Sequence, residues 1–328
     1  MRNKVMSPRE AVQRYVQDGA HISIGGFTIV RNPMGLVHEI IRQKLRNLHV
    51  YVHSHGQAFD LLIGAGCVAA MEFAYGGTAR FSPSGGIRFR KAIEQGLVRF
   101  EDYTNYQMVL RFLAGAMGLP FLPLKGVAQT DVIEKWGFDE TFRSQNPRLP
   151  DKKLAVLKNP FDPPGKEREL VAVPAIQPDV TLLHVQKADS EGTCRIEGLT
   201  FADVEQAKAA RHVIVSCEEL VSREEIRKDP DRNRIPFFIV DAVVPLPYGA
   251  HPTACNNYYD YDDDHLLLYG KLAADDRAFQ DYLDTYVFET ETHADYLVQI
   301  GEKALQTLRA DPDLGYRPRS TRDLDHQA

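Results

Sequence analysis

The sequence predicts an α/β protein, a mostly parallel sheet covered by helices on both faces. Three observations lead there. Short apolar runs alternate with amphipathic stretches along most of the chain, as strand–helix–strand units require. Glycine pairs punctuate that alternation at Gly25-Gly26, Gly76-Gly77 and Gly85-Gly86, where tight turns would join the elements. A chain of 328 residues is long enough to bury a large core.

The elements follow in order. Ser7 as cap and Pro8 at the first position predict a helix start, with Ala11, Val12, Tyr15 and Val16 as its buried face and Asp18-Gly19 as its close. A strand over 21–24 runs into Gly25-Gly26-Phe27, and a helix over 34–45 buries Leu36, Val37, Ile40, Ile41 and Leu45. A second strand, 48–54, ends at His55-Gly56; a helix over 58–63 and a third strand, 68–75, come next. The turn 81–86 opens a helix carrying Ile87, Phe89, Ala92 and Ile93, and another helix spans about 102–118. Residues 121–124 make a short extended run. Prolines and charges between 143 and 169 predict a long surface connection. Strands over 170–176, 180–186, 212–217 and 237–245 follow, then helices over 275–288 and 292–310. One domain over 1–315 and a frayed polar tail over 316–328 are the expected organisation.

Composition removes several functions. The net charge of −6 offers no electrostatic footprint for nucleic acid or an anionic membrane. Four scattered cysteines, Cys67, Cys194, Cys217 and Cys255, form no C-x-x-C pair, which suits a reducing compartment and a cytoplasmic protein. No apolar run reaches the ~18 residues of a membrane span. The acidic run 259–264 lacks calcium-loop spacing and reads as a solvated loop. No metal is expected.

Candidate site residues gather at strand ends, where ligands of open α/β sheets bind. Gly25, Gly26 and Phe27 form the leading candidate turn, with Arg31 just beyond it as a cation for an anionic substrate. The turn Ser82-Pro83-Ser84-Gly85-Gly86, followed by Arg88 on a helix, offers converging N–H groups and a bidentate cation. A capped helix with a basic surface is the equally weighted alternative. His53 and His55 share a strand face, without a third clear metal ligand. His251 in the turn 248–252 reads as a satisfied structural histidine, and Glu218-Glu219 as a cap or ion pair. Gly64-Ala65-Gly66 follows a helix instead of a strand, the reverse of a dinucleotide fingerprint. Neither G-x-S-x-G nor H-E-x-x-H occurs. No nucleophile, base and orienter combine by spacing.

The stretch from Asp18 to Phe27, with Pro33, resembles the first signature of family I CoA-transferases. The resemblance continues through Asp60–Gly64, Arg88–Lys91, Glu101–Tyr103, Leu119–Pro123, Asn159–Phe161, Val171–Pro174, Asp241–Val244 and Pro247–Pro252. Arg31 looks like the glutaconate branch, and the whole looks like one of its alpha chains. The resemblance implies the three-layer α/β/α CoA-transferase fold, no bound cofactor, and a coenzyme A thioester as substrate. It also implies a homologous beta partner that carries the catalytic glutamate, in an αβ pair duplicated at least once. The site residues of this chain would then be Gly25, Gly26, Phe27, Arg31, His55, Ser82, Ser84, Gly85, Gly86 and Arg88. Asn105 falls where relatives carry a glutamine that donates to the thioester oxyanion, with Gln107 as the alternative donor. Ring-cleaving acyl-CoA hydrolases and decarboxylases share the scaffold, so membership of either is the second reading. A non-catalytic acyl-CoA-binding subunit is the third.

Overall fold

The computed structural model describes residues 3–81, 86–126, 130–135 and 137–317. Its strands are β1 (His21–Ile24), β2 (Leu48–His55), β3 (Val68–Gly76), β4 (Arg99–Asp102), β5 (Phe121–Leu124) and β6 (Ala155–Lys158). Then come β7 (Glu169–Pro174), β8 (Val180–Asp189), β9 (Cys194–Arg195), β10 (His212–Val221), β11 (Asn233–Ile235) and β12 (Ala242–Pro245). Seven of these pair in parallel in the order β12-β10-β8-β1-β2-β3-β4. β9 and β11 extend the far end of β8 in antiparallel fashion. From β1 the chain builds outward to β2, β3 and β4 on one side, while β8, β10 and β12 fill the other. The topological switch point therefore lies between β1 and β8, where open α/β sheets form their binding crevice.

Alternation along the strands divides the core into two layers. Ile22 and Ile24 of β1, with Val180 and Leu182 of β8, face helices Pro8–Tyr15, Met34–Arg42 and Gln57–Gly64. Leu183, Val185, Val213 and Val215 form a core on the opposite face, so helices must cover both sides of the sheet. A third cluster joins Tyr103, Met108 and Phe112 to Val171 and Val173; Met108 and Phe112 belong to helix Asn105–Ala116. That helix lies against helix Asp203–Ala209. At Gly115 a Cβ would stand 2.0 Å from the Ile176 carbonyl oxygen and 3.1 Å from the Ala209 Cβ. The glycine is what permits the close approach.

The N-terminal helix has the expected start. Ser7 and Glu10 form a capping box around Pro8. Elsewhere the elements depart from expectation. Helix Asn105–Ala116 begins three residues later than predicted because 99–102 pairs with β3 as an edge strand. The stretch 143–169 contains β6, whose Ala155–Lys158 pair with β7 in a separate antiparallel sheet ordered β5-β7-β6. The final helix is two, His293–Ile300 and Glu302–Leu308, parted by Gly301 at φ +92°. The acidic run 259–264 is not solvated as expected: Asp260 and Asp262 are buried. Asp262 caps helix Asp263–Leu272 by accepting from the His265 N–H, and its other oxygen meets His251 Nε2 at 3.0 Å. Of the predicted tail, Arg317 pairs with Asp263 at 2.9 Å, and residues 318–328 lie outside the described residues. All four cysteines are free and buried. No helix among the described residues is long and apolar enough to cross a membrane.

Candidate active site

The turn that follows β1 stands at the switch point and leaves little room. The Gly25 N–H donates to the Leu182 carbonyl at 2.9 Å, continuing the β1–β8 ladder. A Cβ on Gly25 would lie 2.2 Å from Leu183 Cδ2. Gly26 has φ +87°, and a Cβ there would lie 2.5 Å from the Arg31 carbonyl oxygen. Only glycine adopts this conformation without strain in so tight a space. Phe27 and Val30 then exchange backbone hydrogen bonds of 2.8 Å, closing a small loop. Thr28 at its tip has φ +46°, a costly region for a β-branched residue. Its N–H donates to the Ser54 carbonyl at 3.0 Å, which ties the loop to the end of β2.

Two histidines of β2 serve this turn differently. His55 is buried and donates from Nε2 to the Gly25 carbonyl at 2.8 Å. Burial pulls its pKa down to about 4, so it is a neutral donor at neutral pH. His53 packs its ring 5.4 Å from that of Phe27, and burial lowers its pKa as well. On the other side Phe27 stacks on Phe201 at 4.6 Å with an interplanar angle of 11°. Phe27, Phe201 and His53 make an aromatic wall at the mouth of the crevice, a favourable geometry for ring contacts.

Asn105 opens helix Asn105–Ala116 at the same mouth. The buried Ser54 hydroxyl donates to its side-chain oxygen at 2.5 Å. With the oxygen so engaged, the amide nitrogen is the open end of the group, and it has no partner among the described residues. Gln107, the alternative donor, is fully buried, and its side-chain oxygen accepts from the Thr104 N–H at 2.8 Å in a capping box. Of the two amides, Asn105 is the exposed one.

The arginines are placed otherwise than as free clamps. Arg31 is 1% exposed, and its guanidinium meets the Asp203 carboxylate at 2.6 Å and the His184 and Leu199 carbonyls at 3.2 and 2.8 Å. Arg88 is buried against helix Asp276–Leu283, binding Asp276 and the Asp275 carbonyl, each at 2.5 Å, with Phe279 beneath it. Each guanidinium is held inside the fold. Gly86 is the last residue of the predicted serine–glycine turn, and a Cβ there would stand 2.4 Å from Asp60 Oδ1. Asp60 accepts from the Phe89 N–H at 2.8 Å and the Tyr269 hydroxyl at 2.6 Å, while burial raises its pKa. Ser82, Ser84 and Gly85 lie outside the described residues.

Asp203 is the residue that sequence reasoning missed. It is fully buried, and one oxygen accepts from the Gly26 N–H at 2.8 Å while the other takes Arg31. Nothing local announces it, since 172 residues separate it from Arg31. Both of its oxygens are engaged, so it is no nucleophile.

Beneath the site, His184, Glu218 and Cys255 bring potential metal-ligand atoms within 4.8 Å of one another. Hydrogen bonds already occupy the first two. Glu218 Oε1 is 2.6 Å from His184 Nε2 and accepts from the Tyr259 hydroxyl at 2.5 Å, and Oε2 takes the Tyr248 N–H at 2.7 Å. Glu218 is a buried hub of polar contacts, more than the cap or simple pair expected, whereas the exposed Glu219 meets Lys187 at 3.3 Å. His251 is satisfied as expected, by Asp262 and by the Tyr296 hydroxyl at 2.6 Å.

The geometry offers an oriented amide donor and an aromatic wall on a glycine turn, with the turn's carboxylate already paired. Comparison with known proteins places the chain in a family. A family described as coenzyme A transferase matches residues 5–245. The chain is 40% identical over 322 residues to the alpha subunit of glutaconate CoA-transferase from Acidaminococcus fermentans, covering 98% of this chain and 99% of that one. The crystal structure of that enzyme superimposes with a TM-score of 0.92 over 97% of this chain and 99% of the other. The chain is also 31% identical over 304 residues to the alpha subunit of 3-oxoadipate CoA-transferase from Pseudomonas knackmussii, covering 91% and 99% of the two chains. It is 30% identical over 294 residues to a cholesterol ring-cleaving hydrolase IpdA subunit of Rhodococcus jostii, covering 88% and 94%. With this α/β architecture and these relatives, the chain belongs to the family I CoA-transferases, as a homologue of their alpha subunits.

Proposed function

We propose that this chain is the non-nucleophilic alpha subunit of a heteromeric CoA-transferase. It would move CoA between a short dicarboxylic, glutaconate-like acyl-CoA and a carboxylate acceptor. The observation that carries the reading is Asn105: an exposed amide at the strand ends, its oxygen held by Ser54 and its N–H groups left to donate. The 40% identity to the alpha subunit of glutaconate CoA-transferase supports the acyl class.

A glutamate on the beta partner attacks the thioester carbonyl, and the C–S bond breaks to give a mixed anhydride and the CoA thiolate. The thiolate then attacks the glutamyl carbonyl, releasing the first carboxylate and leaving a glutamyl-CoA thioester. The acceptor carboxylate reverses these steps and departs as the new acyl-CoA. In each addition the carbonyl oxygen gains negative charge, and the Asn105 N–H groups donate to it. Phe27 and the Gly25-Gly26 backbone line the acyl end. Arg31 and Arg88 are held by Asp203 and Asp276, so neither guanidinium is a free clamp for the distal carboxylate.

The test is to co-express the chain with a homologous beta partner and incubate the pair with glutaconyl-CoA. Borohydride treatment should then inactivate it, with reduction at one glutamate of the partner, and only after exposure to acyl-CoA. Free CoA released stoichiometrically, with no borohydride-sensitive intermediate, would give the site to a hydrolase instead.

A further inference from the structure

The contacts around Arg31 and Asp203 join three segments distant in sequence. Asp203 holds the Gly26 N–H at 2.8 Å and Arg31 at 2.6 Å. Arg31 in turn reaches the His184 carbonyl on β8 at 3.2 Å and the Leu199 carbonyl at 2.8 Å. Leu199 lies two residues before Phe201, the ring that stacks on Phe27. One buried ion pair thus fixes the glycine turn, β8 and the loop bearing Phe201 relative to one another.

The backbone at these segments is strained. Thr28, Arg31 and Phe201 have φ of +46°, +51° and +48°, and none is glycine. Such conformations persist only where surrounding contacts over-determine them. The Arg31 and Thr28 N–H groups donate to the Ala254 and Ser54 carbonyls at 2.8 and 3.0 Å, and the pair adds side-chain contacts that clamp these segments to the loop bearing Phe201. Leu199 is 74% exposed and Phe201 only half-buried, so packing alone does not hold the loop.

We propose that Arg31 and Asp203 are positioning residues which set the spacing of the Phe27–Phe201 wall and so the width of acyl group the site admits. This rests on the transferase reading, and it assigns specificity to a pair that never touches substrate. An acyl chain would lie beside the stacked rings, whose position the pair sets. Releasing the pair lets the loop drift and relaxes discrimination against branched chains. The direct hydrogen bond to the glycine turn makes Asp203 the more sensitive of the two, because its loss frees the Gly26 N–H as well.

The test uses the complete two-chain assembly with Asp203→Asn, Arg31→Lys and the charge-free Arg31→Met/Asp203→Leu double variant, which avoids burying a lone charge. Amide hydrogen exchange of peptides spanning 25–30 and 198–202 is one readout and does not depend on the reaction. Exchange there should rise about tenfold or more in the double variant, and by less in Asp203→Asn, whose amide oxygen keeps an acceptor for the Gly26 N–H, with the rest of the chain unchanged. The second readout is kcat and KM for linear and branched acyl-CoAs of equal carbon number. For the linear substrate kcat should fall about tenfold with little change in KM, and the linear-to-branched ratio of kcat/KM should drop by about fivefold or more. Lower thermal stability with unaltered local exchange and an unaltered ratio would overturn the inference, leaving the pair a structural tie only. If the wild-type assembly transfers no CoA, the function reading fails, and the exchange measurement still decides whether the pair holds the wall.

Discussion

The two ends of β1 and β2 treat their polar side chains in opposite ways. Toward their N-terminal ends, His21, His49 and Tyr51 meet Glu72 of β3 and Arg111 of helix Asn105–Ala116. The Tyr51 hydroxyl lies 2.7 Å from His21 Nδ1, the two imidazoles stack at 4.4 Å, and Glu72 takes His49 at 2.8 Å and Arg111 at 2.5 Å. A cavity of about 520 Å³, lined in part by Tyr51, Glu72, Arg111 and Arg148, opens beside them. At the carboxyl ends the crevice is walled by Phe27 and Phe201, and Asn105 keeps its amide donor open. A cavity whose charged groups are already ion-paired is a weaker mark of chemistry. An unengaged donor on a rigid frame marks the chemistry better than volume does.

Mutations at the two ends should therefore separate stability from catalysis. The largest expected effect is on folding: Arg111→Met leaves Glu72 buried without its cation and should cost about 3–5 kcal/mol. Chemical denaturation would show it, while kcat of the folded assembly stays within about twofold; a large loss of kcat at unchanged stability would erase the distinction. Next comes Asn105→Ala, expected to lower kcat about 10²–10³-fold. Because Asn105→Ala also removes the acceptor of the buried Ser54 hydroxyl, denaturation should move by about 1 kcal/mol, well short of the Arg111→Met effect. Full activity in that variant would pass the donor role to Gln107.

Acid should weaken both ends together. Burial is the main cause that brings the pKa of His21 to about 3 and of His55 to about 4, against ~6.5 in the unfolded chain. The unfolded state binds more protons below about pH 6.5, so stability is full above that value and is lost as pH falls toward the folded-state values. By about pH 5 each histidine accounts for a loss of about 2 kcal/mol. His55→Gln should flatten the midpoint-versus-pH curve; an unchanged slope would mean that His55 takes up its proton equally in the folded and unfolded chain. The smallest effect is expected of Ser54→Ala, which frees the Asn105 amide to rotate: about a tenfold fall in kcat with KM unchanged, for one lost hydrogen bond.

Local features of this molecule are legible in the sequence, and long-range pairings are not. The strand 21–24, its glycine turn and the following helix declare themselves through period-two apolar residues, Gly26 and a 3.6-residue pattern, all within one window. β4 is hidden because Arg99–Asp102 is a short, charged strand at the edge of the sheet, paired along its ladder with β3 and otherwise held by side chains distant in sequence such as Arg143 and Lys153. The acidic run looks solvated in isolation, because burial of Asp262 depends on His251 and on the helix it caps. For the same reason Arg31 looks available: its partner, Asp203, lies far along the chain at the start of another helix. The charge on a residue is written in its letter, but whether that charge is free is decided by topology. Asn105 stands out only through resemblance, and its orientation requires the Ser54 contact.

Gly115 carries a consequence beyond packing. Asn105 and Asp203 each begin a helix, and those helices converge at Gly115 and Ala209, about three turns away from Asn105. Under the proposed function the pair works as a caliper, its tips being Asn105, the proposed donor, and Asp203, the anchor of the glycine turn. Its setting is a single hydrogen atom facing the Ile176 carbonyl, which a methyl group would push from 2.0 Å. On that proposal, the gap that a thioester carbonyl would enter is gauged at the far end of the helix pair, away from the glycine turn.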